Sequence, residues 1–186
     1  VSGREIWRRG LPAKSVSALY FSPDGQNILI NSFAVDISGH VSKNALVFDE
    51  TGEQILETEM LYKNASFSSD AGYLIMADNQ QIRVFNLDQR KLIWQKNLER
   101  GKDMITAVKI SDGGKTSVIL TGNNTWDGGR FIFRGAKITI FDMLGKLSQE
   151  LYFPEKSFQN PALWLSPQGN LLKVGFTDSY QLLSRE

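Results

Sequence analysis

One pattern recurs four times in this chain, and it limits what the chain can fold into. Residues 18–30 (ALYFSPDGQNILI), 65–77 (ASFSSDAGYLIMA), 108–120 (VKISDGGKTSVIL) and 163–175 (LWLSPQGNLLKVG) share one plan. Each is a short apolar strand, a polar turn ending in glycine, and a second apolar strand. Gly25, Gly72, Gly114 and Gly169 mark the turns, where a residue free to take positive φ closes a tight hairpin. Pro23 and Pro167 preset φ early in two of those turns.

Each unit then continues alike. A third strand ends on an aromatic in ALVFD (Phe48), IRVFN (Phe85) and ITIFD (Phe141). A second turn follows (DETGEQ, NLDQRK, DMLGKL), and after it a fourth strand (QILETEM, KLIWQKNL, KLSQELYF). The marker glycines step from 25 to 72, 114 and 169, intervals of 47, 42 and 55 residues. Four-stranded units at about this period are the signature of propeller blades. Apolar residues alternate or run in short blocks, with Gly, Asn, Asp and Ser breaking them every ~8–12 residues, as an all-β fold requires. The expectation is one domain over 1–186, an all-β, propeller-like fold of about four blades with four antiparallel strands each. The blades fall near 16–60, 64–98, 105–153 and 161–186. The last unit stops at its third strand, and residues 3–10 (GREIWRRG) match a fourth strand, with Trp7 in the place of Trp94. The N-terminal strand is therefore expected to complete the last blade; the other expectation is a partial propeller.

The FSPDG turn at residues 21–25, the VFDETG end of the third strand at 47–52 and the GREIW strand at 3–7 resemble the WD40-like and quinoprotein-like propellers. The resemblance covers nearly the whole chain and concerns architecture. The Gly-His pair that opens a typical WD40 repeat is missing, as is the Trp-Asp pair of its third strand; Trp126-Asp127 sits in an insertion instead. The resemblance implies mostly protein-binding platforms, with enzymes a minority.

Composition narrows the partners. The 186 residues, 41% of them hydrophobic, can bury a core without metal or disulfide help. With 21 basic and 20 acidic residues and no long charge block, nucleic acid is not the expected partner. No apolar run reaches the ~20 residues of a membrane span. There is no cysteine, so no disulfide, thiolate site or cysteine nucleophile; this fits any compartment and leans toward a bacterial envelope.

Function is expected on loops. The long connections join second to third strands in alternate blades, at residues 32–45 and 121–136, and a further connection (PEKSFQN) runs over 154–160. In a propeller all of these emerge on one face, where long loops on a rigid scaffold bind. The third unit's insertion carries Trp126, Arg130, Phe131, Phe133 and Arg134 around an Asp127-Gly128-Gly129 turn. Trp, Phe and Arg are residue types common in interaction hot spots; mutual packing of the aromatics is the competing reading. Period two puts Phe131 and Phe133 on one face, and Gly135 is placed to host a bulge. In the first insertion His40, the sole histidine, lies four residues from Asp36, close enough for a His-Asp contact.

Other chemistry is weaker. NNTWDG, residues 123–128, begins like a calcium loop, but its twelfth position is Arg134, the wrong charge. Gly113-Gly114-Lys115-Thr116 lacks the upstream glycine of a phosphate loop. Asp49/Glu50 and Glu57/Glu59 suit a turn and a solvent-facing outer strand. The leading expectation is a non-catalytic module that binds a protein or peptide through the two long hairpins, with no metal or cofactor. A ligand-binding or enzymatic propeller ranks second, with Lys109, Asp103, Asn64 or Asn160 converging on a channel. A half-propeller that pairs with a second copy or a neighbouring domain, dimeric if the ring is open, ranks third.

Overall fold

A computed structural model of the chain describes residues 5–8, 10–11, 15–60, 62, 64–79, 81–98, 103–158, 162–177 and 179–184. The chain divides into two compact units, Val1–Tyr62 and Lys63–Glu186.

The first unit holds one antiparallel sheet in the order β1 (Ser15–Phe21), β2 (Asn27–Val35), β3 (Val41–Asp49) and β4 (Gln54–Thr58). Period two separates its residues. Ile28, Ile30, Leu46 and Phe48 share one face, in register as Ile28↔Phe48 and Ile30↔Leu46. Trp7 and Leu11 pack on this face, with the Trp7 ring 6.0 Å from that of Phe48.

The second unit holds three sheets. The first is β5 (Asn64–Phe67), β6 (Tyr73–Ala77), β7 (Gln81–Asn86) and β8 (Lys91–Asn97). The next is β9 (Asp103–Ile110), β10 (Thr116–Asp127), β11 (Arg130–Asp142) and β12 (Leu147–Phe158), with a short 3-10 turn at Asp112–Gly114. The last, β13 (Ala162–Leu165), β14 (Leu171–Gly175) and β15 (Tyr180–Ser184), has three strands. These sheets stack face to face. Ile75, Val84 and Trp94 of the first meet Val108, Ile119 and Phe141 of the second. The other face of the second, with Leu120, Ile138 and Phe158, meets Leu163, Leu172 and Val174 of the third. Each such aliphatic or aromatic side chain contributes about 1.5–3 kcal/mol on full burial, and these stripes hold the three sheets together.

The repeat is realised atom for atom in the first turns. Ser22, Ser68, Ser111 and Ser166 are all buried. The Oγ of each accepts the N–H five residues on, at 2.8, 3.0, 2.9 and 2.9 Å. Each serine N–H donates to that same residue's carbonyl at 2.8–2.9 Å. The residue closing the turn has φ of 75° at Gly25, 65° at Gly114 and 78° at Gly169, but in the second repeat it is Ala71, at 58°. Gly72, expected to mark that turn, lies one residue past the left-handed position. The turn itself has the same length and the same hydrogen bonds as the other three.

Hydrogen bonds lace the turns of the second unit together. Ser69 Oγ and the Asp70 N–H both donate to Asp112 Oδ1, at 2.5 and 2.9 Å. In return Gly113 N–H donates to Asp70 Oδ2 at 2.9 Å, and Asp112 N–H donates to the Pro167 carbonyl at 2.8 Å.

Two expectations change. PEKSFQN is not a connecting loop over its first five residues, because Pro154 to Phe158 continue β12; its last two lie outside the described residues. Residues 3–10 were expected as the last sheet's fourth strand. Positions 3, 4 and 9 lie outside the described residues, and Glu5–Arg8 and Gly10 carry no strand. Among the described residues the last sheet has three strands, consistent with a partial propeller. Trp7 packs on Phe48, as Trp94 packs on Phe141.

Candidate partner-binding hairpin

The β10–β11 hairpin outruns its neighbours. β9 is paired up to Asp103, opposite Asn123, and β12 up to Phe158, opposite Phe133. Beyond these points, among the described residues, only the two hairpin strands pair, as Thr125↔Ile132, Trp126↔Phe131 and Asp127↔Arg130. The tip closes in two residues, Gly128 and Gly129, with φ of 52° and 85°. Positive φ at both central positions is what a tight turn matched to strand twist needs, and the Asp-Gly-Gly sequence supplies it. At the root Gly135, with φ of 64°, sits where the β11–β12 register shifts. The expected bulge is there, and β12 adds its extra residues opposite it.

The candidate side chains divide. Trp126 is 64% exposed near the tip. Phe133 is not presented: its ring stacks on Phe158 at 5.4 Å and 15°, and its Cβ closes over Gly122. Packing is therefore the role of Phe133, and exposure that of Trp126. Arg130 and Phe131 occupy tip positions in register with Asp127 and Trp126. Arg134 is exposed and, with Asn123, Asn124, Thr125, Gly135, Tyr152 and Pro154, lines an open depression of about 530 Å³ along the hairpin root.

In the first unit the β2–β3 hairpin turns over Asp36 to His40, both exposed. Asp36 Oδ1 accepts the Ser38 N–H at 2.8 Å, the Ser38 hydroxyl at 2.6 Å and the His40 N–H at 2.9 Å. Those bonds, the Ser38 hydroxyl first, hold its carboxyl below the usual range. The expected His-Asp contact thus exists through the His40 backbone. The same turn recurs between β3 and β4, where Asp49 Oδ1 accepts Thr51 and Glu53 N–H, and between β11 and β12, where Asp142 Oδ1 accepts Leu144 and Lys146 N–H. The sequence places Asp36 with His40 on a hairpin expected to contact a partner; the D-x-x-G-x spacing shared with Asp49 and Asp142 is the signal that its carboxylate builds the turn.

The residues named for a channel separate too. Asn64 Nδ2 donates to the Ile105 carbonyl at 3.0 Å, tying β5 to β9. Asn160 lies outside the described residues. Asp103 lines a cavity of about 410 Å³ between the first two sheets of the second unit, with Asn79, Lys96, Lys137 and Glu150, but without Lys109. There Lys137 and Glu150 pair at 3.0 Å, and Lys96 Nζ stands 4.9 Å from the Phe141 ring centre. Among the described residues no group of three His, Cys, Asp or Glu side chains is placed to hold a metal, and no helix is long and apolar enough to cross a membrane.

In sequence, no protein-family model and no curated protein matches the chain. In structure it is similar to Hsv2 of Kluyveromyces marxianus over 97% of its own length and 50% of that chain, at 16% identity and a TM-score of 0.65. Hsv2p of Kluyveromyces lactis matches 97% of this chain with 52% of its own, at 16% identity and a TM-score of 0.61. The β-propeller domain of Cps50 (Swd1) from Myceliophthora thermophila matches over 92% of this chain and 54% of its own, at 15% identity and a TM-score of 0.60. The fold is that of a WD40-like β-propeller. The chain spans about half the length of the propellers it matches, and its sheets are blades, the last with three strands among the described residues.

Proposed function

We propose that this chain is a non-catalytic propeller module that binds a protein or peptide, with the β10–β11 hairpin as its principal contact and the β2–β3 hairpin as a second. The reading rests on one observation: among the described residues the hairpin extends past both of its neighbours, and it carries Trp126, 64% exposed, beside its tip. An exposed indole on a rigid two-stranded ribbon can bury much apolar area at small entropic cost, because the ribbon is ordered beforehand. The depression at its root adds polar groups of both kinds, amides of Asn123 and Asn124 and the hydroxyls of Thr125 and Tyr152. Such groups fix the direction of a bound chain.

The test shortens the ribbon without touching the core. Replacing Thr125–Ile132 by Asn-Gly keeps the Asn124↔Phe133 pair and the Phe133–Phe158 stack. Peptides selected on the natural chain from a random library are expected to lose at least tenfold in affinity for this variant. Selected peptides that bind both chains equally would sink the reading.

A further inference from the structure

The second unit stacks its three sheets through two junctions, and the repeat allows them to be compared position by position. At the junction of the second and third sheets, Phe176 stands ten residues after the turn serine Ser166 and meets Phe153, with ring centres 5.6 Å apart. Leu151 packs into the same cluster.

At the junction of the first and second sheets the matching positions are not large and apolar. Thr121 stands ten residues after Ser111 and pairs with Lys137, as Phe176 stands opposite Ser179. Lys96 pairs with Ile82 as Leu151 pairs with Ile138, and each isoleucine precedes its strand's aromatic, Phe85 or Phe141, by three residues. Threonine and lysine thus stand where the other junction has phenylalanine and leucine, and both line the cavity of about 410 Å³ between these sheets. Small-molecule sites run from roughly 300 to 1,000 Å³.

The cavity has an apolar wall of Ile82, Ile105 and Phe141. Its charges are only partly answered. Lys137 and Glu150 pair at 3.0 Å, and Glu150 Oε1 also accepts the Thr139 hydroxyl at 3.4 Å. Lys96 and Asp103, both exposed, have no ion-pair partner among the described residues. Lys96 Nζ lies 4.9 Å from the Phe141 ring centre, so the cation is held over the apolar wall. Asn79 lines the cavity too, and its buried Oδ1 accepts no hydrogen bond. A buried acceptor is costly until it receives a donor.

We propose that this cavity binds a small zwitterion with an apolar body, namely a free apolar amino acid or a dipeptide of such residues. The carboxylate pairs with Lys96. The ammonium group pairs with Asp103 and donates to Asn79 Oδ1, and the side chain lies on Phe141 and the two isoleucines. A zwitterion is the class that fits because Lys96 and Asp103 do not pair with each other. A simple anion leaves Asp103 unanswered, and a simple cation leaves Lys96 so. The site lies wholly within the second unit and does not rest on the hairpin reading.

Titration calorimetry on the natural chain tests this with L-leucine, L-methionine, L-phenylalanine and the dipeptide Leu-Leu. Saturable binding of at least one is expected. Binding of the single amino acids or of the dipeptide tells which spans the two charges. The same probe without its ammonium group, or without its carboxylate, should bind about tenfold more weakly or worse, because each loses a charge-assisted contact. Lys96→Met and Asp103→Asn change exposed side chains, and circular dichroism checks their folding. Each should weaken binding by a similar factor. Thr121→Phe copies the filling of the other junction and should abolish binding without lowering Tm. No binding of any probe up to about 10 mM overturns the proposal. So does binding that Lys96→Met leaves unchanged, that the analogue without an ammonium group matches, or that survives in a folded Thr121→Phe chain.

Discussion

Ala71 holds the left-handed conformation that Gly25, Gly114 and Gly169 hold in the other repeats. A side chain costs ~1–2 kcal/mol there, and glycine gives back part of that through its freer unfolded chain. Ala71→Gly is therefore expected to raise stability by about 0.5–1 kcal/mol, read as a higher urea midpoint with unchanged slope. Gly25→Ala, where nothing lies within 4 Å of the added carbon, should lower it by a similar amount. Equal midpoints for the natural chain and Ala71→Gly would refute the argument. The four glycines were legible in the sequence, yet the second was assigned one residue late. The reason is physical: DAG places glycine after the strained position, and the hydrogen bonds around Ser68 decide which residue takes positive φ. The serines were just as plain in the quoted stretches. Their role needed the bond from Oγ to the N–H five residues on, which no local pattern of polarity reveals.

Among the elements, the first turns of the second unit act as one laced edge. Burial raises the Asp70 carboxyl, but hydrogen bonds from Ser68, Gly113 and Gly72 outweigh it, and its folded value lies below the reference of 3.8. A carboxyl depressed by folding contributes stability that is present above the unfolded value and is lost as pH falls through the folded one. The Tm difference between the natural chain and Asp70→Asn should therefore be constant at neutral pH and narrow below about pH 4. A gap that stays constant down to pH 2 would exclude this clasp as a source of acid sensitivity. The hairpins show where sequence sufficed at this scale. Asp127-Gly128-Gly129 announced its turn, and Gly135 its bulge. Phe133 did not announce its burial, because Phe158, the ring it stacks on, lies 25 positions away and on another strand. Trp7 and Trp94 share an Ile-Trp pair in the sequence, but that each ring lies on the aromatic ending a third strand, Phe48 and Phe141, could be seen only in the packing.

For the whole molecule, the repeat and strand plan were legible in the sequence, whereas the stripes that join one sheet to the next were visible only in the packing. In the second unit the sheets join through continuous apolar stripes. Leu172→Ala, in the stripe between the last two sheets, is expected to lower stability by about 2–5 kcal/mol, read as a lower urea midpoint; an unchanged midpoint would show that this stripe contributes nothing.

The four tryptophans turn this architecture into an optical instrument. Trp94 is buried with its indole N–H lacking a hydrogen-bond partner, an environment that shifts emission to shorter wavelength and shields it from quenchers. Trp126 and Trp164 stand 64% and 49% exposed on different surfaces, the hairpin and the open face of the last blade. Phenylalanine at one of them leaves the other as the most exposed indole, beside half-buried Trp7. Acrylamide then distinguishes cover on the hairpin from cover on the last blade's open face in unlabelled protein.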